Sequence, residues 1–402
     1  MVNRFVVSPS KRTSEITYAV RDVLLIANEA KKRGKEMLYL NIGDPIQYDF
    51  YVHPYMVEAV YDAMKCAKNG YAPSAGVEEG LESIRGEAAK KGIQNVQDVF
   101  ISYGASEAIE ICLTALADSG DNVILPSPGY PLYSALNSKL GIESRYYRLN
   151  EADNWQPDVE DIVGKIDAKT KGIVLINPNN PTGSLYSQEI LIKIIEIANK
   201  HNLLIFADEI YDKILFDNLQ HTSIAALTSE TPIVTFGGLS KCYVAPGWRI
   251  GWGILSGPAS SLKDYIGAIH KMTRARLSVT HPMQYAIKTA LEGDQSLIPW
   301  MNAKLQKRRD ITYKRLNEIK GLSCVKPTGA FYAFPKIEIP MPDKEFVEKL
   351  VLETGVVVVH GSGFGEEAGK GHFRIVFLPE EEILEKAYNQ IEHFMQQIEK
   401  NT

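Results

Sequence analysis

Cysteine is scarce in this sequence: Cys66, Cys112, Cys242 and Cys324 are the only four in 402 residues. They lie far apart and form no Cys-x-x-Cys pair, so neither a disulfide framework nor a zinc site is suggested, and no metal is expected. Four reduced thiols fit a cytoplasmic setting. Positive charge is not in excess either. Lysine and arginine total 44 against 49 aspartates and glutamates, a net charge of -5, which leaves no basic field for nucleic acid. No apolar run approaches the length of a membrane span, so no membrane partner is expected. Residues 1–12 lack an apolar core of signal-peptide length. Internal repeats, low-complexity tracts and flexible linkers are also missing. What is present is ordinary: 45% hydrophobic and 23% charged residues, the composition of a globular enzyme, in a chain long enough for two or more domains.

Periodicity then divides the chain. Residues 13–35 read as an arm and a helix with Val20, Val23, Leu24 and Ala27 on one face. Residues 37–42 read as a short strand running into the turn signal Gly43-Asp44-Pro45, and 54–68 as a helix stopped at Asn69-Gly70. From Asp98 onward the pattern alternates. Strands are expected over 98–103, 122–125, 143–148, 171–176, 203–207 and 233–236, and helices over 105–118, 130–140 and 190–200. Such alternation specifies an α/β layer with a mostly parallel sheet, and ligands of such sheets sit at the carboxyl ends of the strands.

Beyond Ser256 helix prevails. A long helical stretch from about Pro282, broken near Gly293, reaches Ile319. Short strands over 331–334, 356–359 and 373–377 follow, with helices over 343–353 and 379–399. The last helix spaces Ile383, Leu384, Ala387, Ile391, Met395 and Ile398 along one stripe. This reads as a smaller α+β domain. The division expected is an arm with part of the small domain over 1–45, a large domain over 46–290, and the rest of the small domain over 291–402.

Polar residues gather at the expected strand ends. Gly104-Ala105-Ser106 opens a helix, whose first amides and macrodipole favour a phosphate. Pro126-Ser127-Pro128-Gly129-Tyr130-Pro131 is a rigid loop that presents one aromatic face, able to stack on a ring. Asn177-Pro178-Asn179-Asn180-Pro181-Thr182-Gly183 offers amides that both donate and accept. Asp208, in Ala207-Asp208-Glu209-Ile210-Tyr211, is a carboxylate at a buried strand end and needs a cationic partner. Lys241 stands among small residues in Gly238-Leu239-Ser240-Lys241, short of water, which lowers its pKa. The neutral amine is a nucleophile that forms a Schiff base with an aldehyde. Arg249 is spaced to return to the same pocket and hold a phosphate. Arg374, in His372-Phe373-Arg374-Ile375, suits bidentate pairing with a carboxylate. Each feature alone also fits a structural role: a solvated lysine, an N-cap serine, a packed tyrosine, an ion-paired arginine.

Taken together and in this order, the strings resemble the class I aminotransferases, the fold-type I enzymes that use pyridoxal 5'-phosphate. The resemblance rests on Ser240-Lys241 followed by Gly247-Trp248-Arg249-Ile250-Gly251, the complete loop from Asn177 to Gly183, the pair Asp208 and Tyr211, and Tyr71-Ala72-Pro73-Ser74-Ala75-Gly76. It covers nearly the whole chain. It implies an α/β fold-type I transferase, with a large domain built on a mixed, mostly parallel sheet flanked by helices, plus a smaller α+β domain. It implies a cofactor Schiff base on Lys241, whose released amine does the acid–base work. Asp208 would face the ring nitrogen, Tyr211 and Asn180 the phenolic oxygen, and Tyr130 the ring itself. Ala105, Ser106, Ser240 and Arg249 would hold the phosphate, with Tyr71 reaching over from the partner subunit of a homodimer. The substrate carboxylate would fall to Arg374, Asn180 and the Gly43 backbone. The activity implied is ping-pong transfer of an amino group between an L-amino acid and a 2-oxo acid.

Gly238 stands where some members carry a phosphate-binding serine, and the Gly-Leu-Ser-Lys form resembles the alanine-type enzymes. Arg276 has two readings, a second carboxylate ligand or a structural ion pair. The rivals are another fold-type I enzyme with the same anchors (a C–S lyase, decarboxylase or cyclase), a silent cofactor-binding module, and a hydrolase. The last would use Ser106 in the near-match Gly104-x-Ser106-x-Ala108 with Asp208 and His360, and leaves Lys241, Arg249 and the Asn-Pro loop without work.

Overall fold

The computed structural model describes residues 6–16 and 19–401. Part of the expected leading segment, and the Val20 side chain assigned to the first helix, lie outside the described residues. The organising element is an eight-stranded sheet. Across it the strands are Val96–Tyr103, Ile250–Ser256, Ile233–Gly238, Leu204–Asp208, Thr170–Ile176, Asn122–Ser127, Glu143–Asn150 and Gln156–Pro157. Ile250–Ser256 runs antiparallel to both its neighbours, and Gln156–Pro157 antiparallel to its one. The remaining pairings are parallel.

The central strands are apolar on both faces because helices cover both. Ile173, Leu175 and Ile205 bury themselves in one core, together with the helix Gln188–His201. Val174, Ile176, Phe206, Val234 and Phe236 face the other, against the helices Ala105–Leu116 and Ala259–Arg276. The alternation of neighbours between the two cores is the period of a pleated strand.

Among the elements that the sequence pattern does not mark, three pack on or within the large sheet. The helix Glu78–Lys90 carries its apolar residues at Leu81, Ile84 and Ala88, but Gly80 and Gly86 dilute the pattern. The strand Ile250–Ser256 contains Gly251 and Gly253, which weaken a strand signal. The helix Ala259–Arg276 buries only Leu262, Ile269 and Thr273.

The C-terminal part builds smaller sheets. Tyr332–Ala333, Phe373–Val376 and Val359–His360 form one, with Phe373–Val376 central. Leu38–Tyr39, two residues rather than the six expected, pairs in parallel with Val356–Val357. An N-terminal strand is thereby joined to the C-terminal part of the chain. The last helix, Glu381–Asn401, buries Leu384, Ala387, Tyr388, Ile391, Phe394 and Met395. Leu384, Ala387, Ile391 and Met395 of the expected stripe are buried and Ile398 packs against the same core, whereas Ile383 is 39% exposed and Tyr388 and Phe394 complete the buried face.

Candidate active site

Val96–Tyr103, Asn122–Ser127, Thr170–Ile176, Leu204–Asp208 and Ile233–Gly238 all run the same way. Their carboxyl ends therefore share one edge of the sheet, and each delivers one of the strings singled out above. A cleft of about 630 Å³ opens there. Its lining includes Gly43, Ala105, Ser106, Tyr130, Asn180, Asp208, Tyr211, Ser240, Lys241, Arg249 and Arg374. Of the expected site residues, Tyr71 alone is elsewhere, on a loop where it is 81% exposed.

Lys241 follows the strand Ile233–Gly238 and donates from Nζ to the Gly43 carbonyl at 2.7 Å. Its amine is pushed down to about 8. Removal from water is the main cause; nearby Asp44 opposes it, and Arg374 and Arg249 add to it. A useful fraction is therefore neutral near physiological pH. Asp208 ends its strand almost fully buried. Its Oδ2 accepts from the Tyr133 hydroxyl at 3.1 Å and its Oδ1 from the Ile210 amide at 3.3 Å. Neither partner carries a charge, and burial pushes the carboxyl up to about 6 despite both bonds. The Tyr211 hydroxyl lies 2.8 Å from that of Tyr332.

The Asn-Pro loop divides its labour. Asn179 accepts from the Thr182 amide at 3.2 Å inside the loop, and Asn177 from the Tyr186 amide at 2.9 Å just beyond it, so both serve the local backbone. Asn180 instead accepts from Arg374 Nη1 at 3.0 Å. Arg374 also donates from Nη2 to the Asn41 carbonyl at 2.6 Å and lies over the Tyr332 ring. Amide and guanidinium are thus held as one unit at the cleft wall.

At the helix Ala105–Leu116, the N-cap Gly104 has φ +72°. A Cβ there would come within 2.5 Å of Arg249 Nη2, so the guanidinium can lie over the helix start only because the residue is glycine. Gly238 is crowded as well: a Cβ would sit 2.9 Å from the Ile250 carbonyl and 3.1 Å from the Gly251 Cα. The backbone approach of the antiparallel strand explains glycine at this position, and Ser240 is the hydroxyl that reaches the cleft.

The hydrolase arrangement does not form. His360 Nδ1 lies 2.9 Å from Ser362 Oγ and 3.7 Å from Asp343 Oδ2. It lines a separate hollow of about 400 Å³ on the other side of Tyr130, which holds neither Ser106 nor Asp208. Arg276 takes the structural role of its two readings. It donates to the Ser74 and Ile101 carbonyls at 2.8 and 3.1 Å and lies 3.6 Å from Glu107. Sequence reasoning missed Tyr133, Tyr332, Asp44 and Gln47. Tyr133 had a faint signal, one helical turn after Tyr130; Tyr332 had none, being read only as part of a short strand. Among the described residues no cluster of three or more His, Cys, Asp or Glu side chains is placed to hold a metal ion.

Comparison with known proteins decides the family. The family described as aminotransferase class I and II matches residues 36–391. This chain belongs to that family. As a class I/II aminotransferase it depends on pyridoxal 5'-phosphate. It is similar to the glutamate-pyruvate aminotransferase of Escherichia coli, 38% identical over 97% of this chain and 98% of that one. It is similar to the alanine aminotransferase of Mycobacterium tuberculosis, 38% identical over 96% and 92%. Among solved structures it resembles the alanine aminotransferase from Pyrococcus furiosus, with a TM-score of 0.94, 42% identity, and coverage of 97% and 100%.

The residues of this aminotransferase fit that cofactor. Asp208 is a buried carboxyl with no ion pair among the described residues, in want of a cation such as a pyridinium. The helix start at Ala105, with Arg249 over it, is suited to a phosphate dianion. Lys241 in the same cleft is an amine with lowered pKa, suited to a carbonyl.

Proposed function

We propose that this aminotransferase moves an amino group between glutamate and pyruvate, yielding alanine and 2-oxoglutarate. The observation that carries the reading is one cleft holding a partly neutral lysine, a buried carboxyl and a carboxylate-shaped Arg374–Asn180 unit. The names of the similar proteins point to this substrate pair. Pyridoxal phosphate, when bound, supplies a carbonyl to take the amino group and a ring that accepts electrons. Lys241 is assigned its attachment and, once displaced, proton transfer at the substrate Cα. A pKa of about 8 suits both taking the proton and giving it back. Arg374 and Asn180, with the Gly43 backbone, hold the α-carboxylate and so fix which Cα–H bond faces Lys241. Asp208 is assigned the ring nitrogen and Tyr211 the phenolic oxygen, Tyr130 the ring face, and Ala105, Ser106, Ser240 and Arg249 the phosphate.

Tyr71 has no role in its own cleft. Its exposure suits a hydroxyl that reaches a second subunit's phosphate, so we assign a homodimer. The same reading keeps residues 46–290 as the cofactor domain, with 1–45 and 291–402 as arm and small domain. Pairing of Leu38–Tyr39 with Val356–Val357 supports that division. A cytoplasmic setting is supported by four free cysteines. Among the described residues no helix is long and apolar enough to cross a membrane.

Half-reaction spectroscopy tests the reading. Glutamate and alanine should each convert the bound cofactor to its amine form, and pyruvate should restore the starting spectrum. Release of carbon dioxide or of ammonia, with no restoration by a 2-oxo acid, would instead favour a decarboxylase or lyase on the same anchors. Arg374→Lys should raise KM for both amino acids about tenfold to a hundredfold, since a point charge replaces a bidentate fork worth about 1.5–3 kcal/mol. An unchanged KM would remove Arg374 from the carboxylate site.

A further inference from the structure

Behind the cleft lies a second group of charges that the chemistry above does not use. Asp208 and Tyr211 line the cleft, whereas Glu209 and Asp212 turn away from it. Both acids end on one ammonium. Lys91 Nζ lies 3.1 Å from Glu209 Oε2 and 2.5 Å from Asp212 Oδ2, all three side chains being largely buried. Lys91 is the C-cap of the helix Glu78–Lys90, more than a hundred residues earlier in the chain.

Further bonds extend the clamp. The Ser223 hydroxyl donates to Glu209 Oε1 at 2.7 Å. Cys242, next to Lys241, directs its thiol at the Ile210 carbonyl (3.4 Å) and Asp212 Oδ1 (3.5 Å). One buried cation therefore ties together the immediate neighbours of Asp208, Tyr211 and Lys241. The surrounding titratable groups are Glu87, paired with Lys213 at 2.6 Å, together with Tyr243 and His221. Burial alone would lower the Lys91 pKa; the carboxylates of Asp212 and Glu209 outweigh it and hold the amine well above the ordinary lysine range.

We propose that Lys91 is a positioning residue for transamination, fixing Asp208, Tyr211 and Lys241 from behind and screening the cofactor from the charges of Glu209 and Asp212. The inference rests on the cleft roles assigned above. Glu209 adjoins Asp208 and raises its pKa, so the charge balance behind the sheet bears on the acid assigned to the ring nitrogen. Losing the ammonium leaves uncompensated negative charge, which favours the protonated, cationic form of the bound cofactor.

The test is a pH titration of the bound cofactor's visible absorption, alongside its dissociation constant and the melting temperature of the cofactor-free protein. Lys91→Met should raise the titration midpoint by about half to one pH unit and weaken cofactor binding about tenfold. Glu209→Gln, which removes a negative charge, should move the midpoint the opposite way. Glu87→Gln breaks another buried ion pair of the same helix, and should lower the melting temperature without moving the midpoint. A Lys91→Met protein with the wild-type midpoint overturns the proposal, as does Glu87→Gln shifting it equally. Should Lys91→Met not fold, an unmoved midpoint in Glu209→Gln overturns it. Borohydride trapping on Lys241 in the wild type keeps the outcomes apart: its failure would strike the cleft assignment itself, whatever Lys91 does.

Discussion

Lys241→Ala should lower kcat for transamination by about 10⁴-fold or more, and borohydride should no longer fix the cofactor to the protein. Two losses combine. General acid–base catalysis by one positioned side chain contributes about 10² to 10⁴, and the covalent route through an amine disappears with it. The fold should survive, because Lys241 donates one hydrogen bond, to the Gly43 carbonyl, and makes no ion pair among the described residues. A second readout comes from proton linkage. The amine titrates near 8 in the folded protein against an ordinary value of 10.5. Between those values the folded state binds fewer protons than the unfolded one, so this group's contribution to stability grows as pH rises through the window. Below pH 8 the charged amine is a full burden on the cofactor-free protein; above 10.5 that burden is gone. The melting temperature of the cofactor-free wild type should therefore improve relative to Lys241→Ala as pH rises from 8 toward 10.5. A variant that kept over a hundredth of wild-type turnover, or still bound cofactor covalently, would take the attachment role from Lys241.

The lysine and its setting were legible because the cause is local. Small residues around Lys241 keep water and bulk away, and the structure gives the lowered pKa that this predicts. The Asn177–Gly183 loop was legible as a string, but not its division of labour: Asn179 bonds within the loop and Asn177 to the Tyr186 amide just beyond it, while Asn180 turns to Arg374, 194 residues away. Contacts of that separation leave no mark in any one window of sequence. The same holds for Tyr332 beside Tyr211 and for Lys91 behind Glu209, 121 and 118 residues apart. The central parallel strands were legible because each carries an unbroken apolar run. The antiparallel Ile250–Ser256 was not, because its two glycines make room for neighbours that only the folded sheet brings near: the helix start at Gly104-Ala105 presses on Gly251, and the Phe100 ring on Gly253. Local chemistry was readable; close packing across the sheet was not.

Asp208→Asn should reverse its effect on stability according to whether cofactor is present. In the cofactor-free protein the carboxyl titrates near 6, against an ordinary value of 3.8. Between these values the folded state binds more protons than the unfolded one, so stability falls as pH rises through the window and stays low above it. A shift of this size corresponds to about 3 kcal/mol, at order-of-magnitude precision. Asparagine escapes the burden. It carries no charge, and its amide oxygen can still accept from the Tyr133 hydroxyl or the Ile210 amide. Cofactor-free Asp208→Asn should accordingly melt above the wild type at pH 7.5, and the advantage should vanish near pH 4, where the wild-type carboxyl is also neutral. With cofactor the order inverts. In the role assigned to Asp208, the ionised carboxyl would then face the cation it lacks, in a charge-assisted bond that an amide cannot replace, and binding should weaken about a hundredfold on substitution, with turnover falling further. Melting curves with and without cofactor at the two pH values measure all four states. A variant no more stable than wild type without cofactor at pH 7.5, or one that binds cofactor as tightly, would separate Asp208 from the ring nitrogen. The pattern expected is that of a group kept under strain until its ligand arrives, so that the free energy withheld from the empty fold strengthens the filled one.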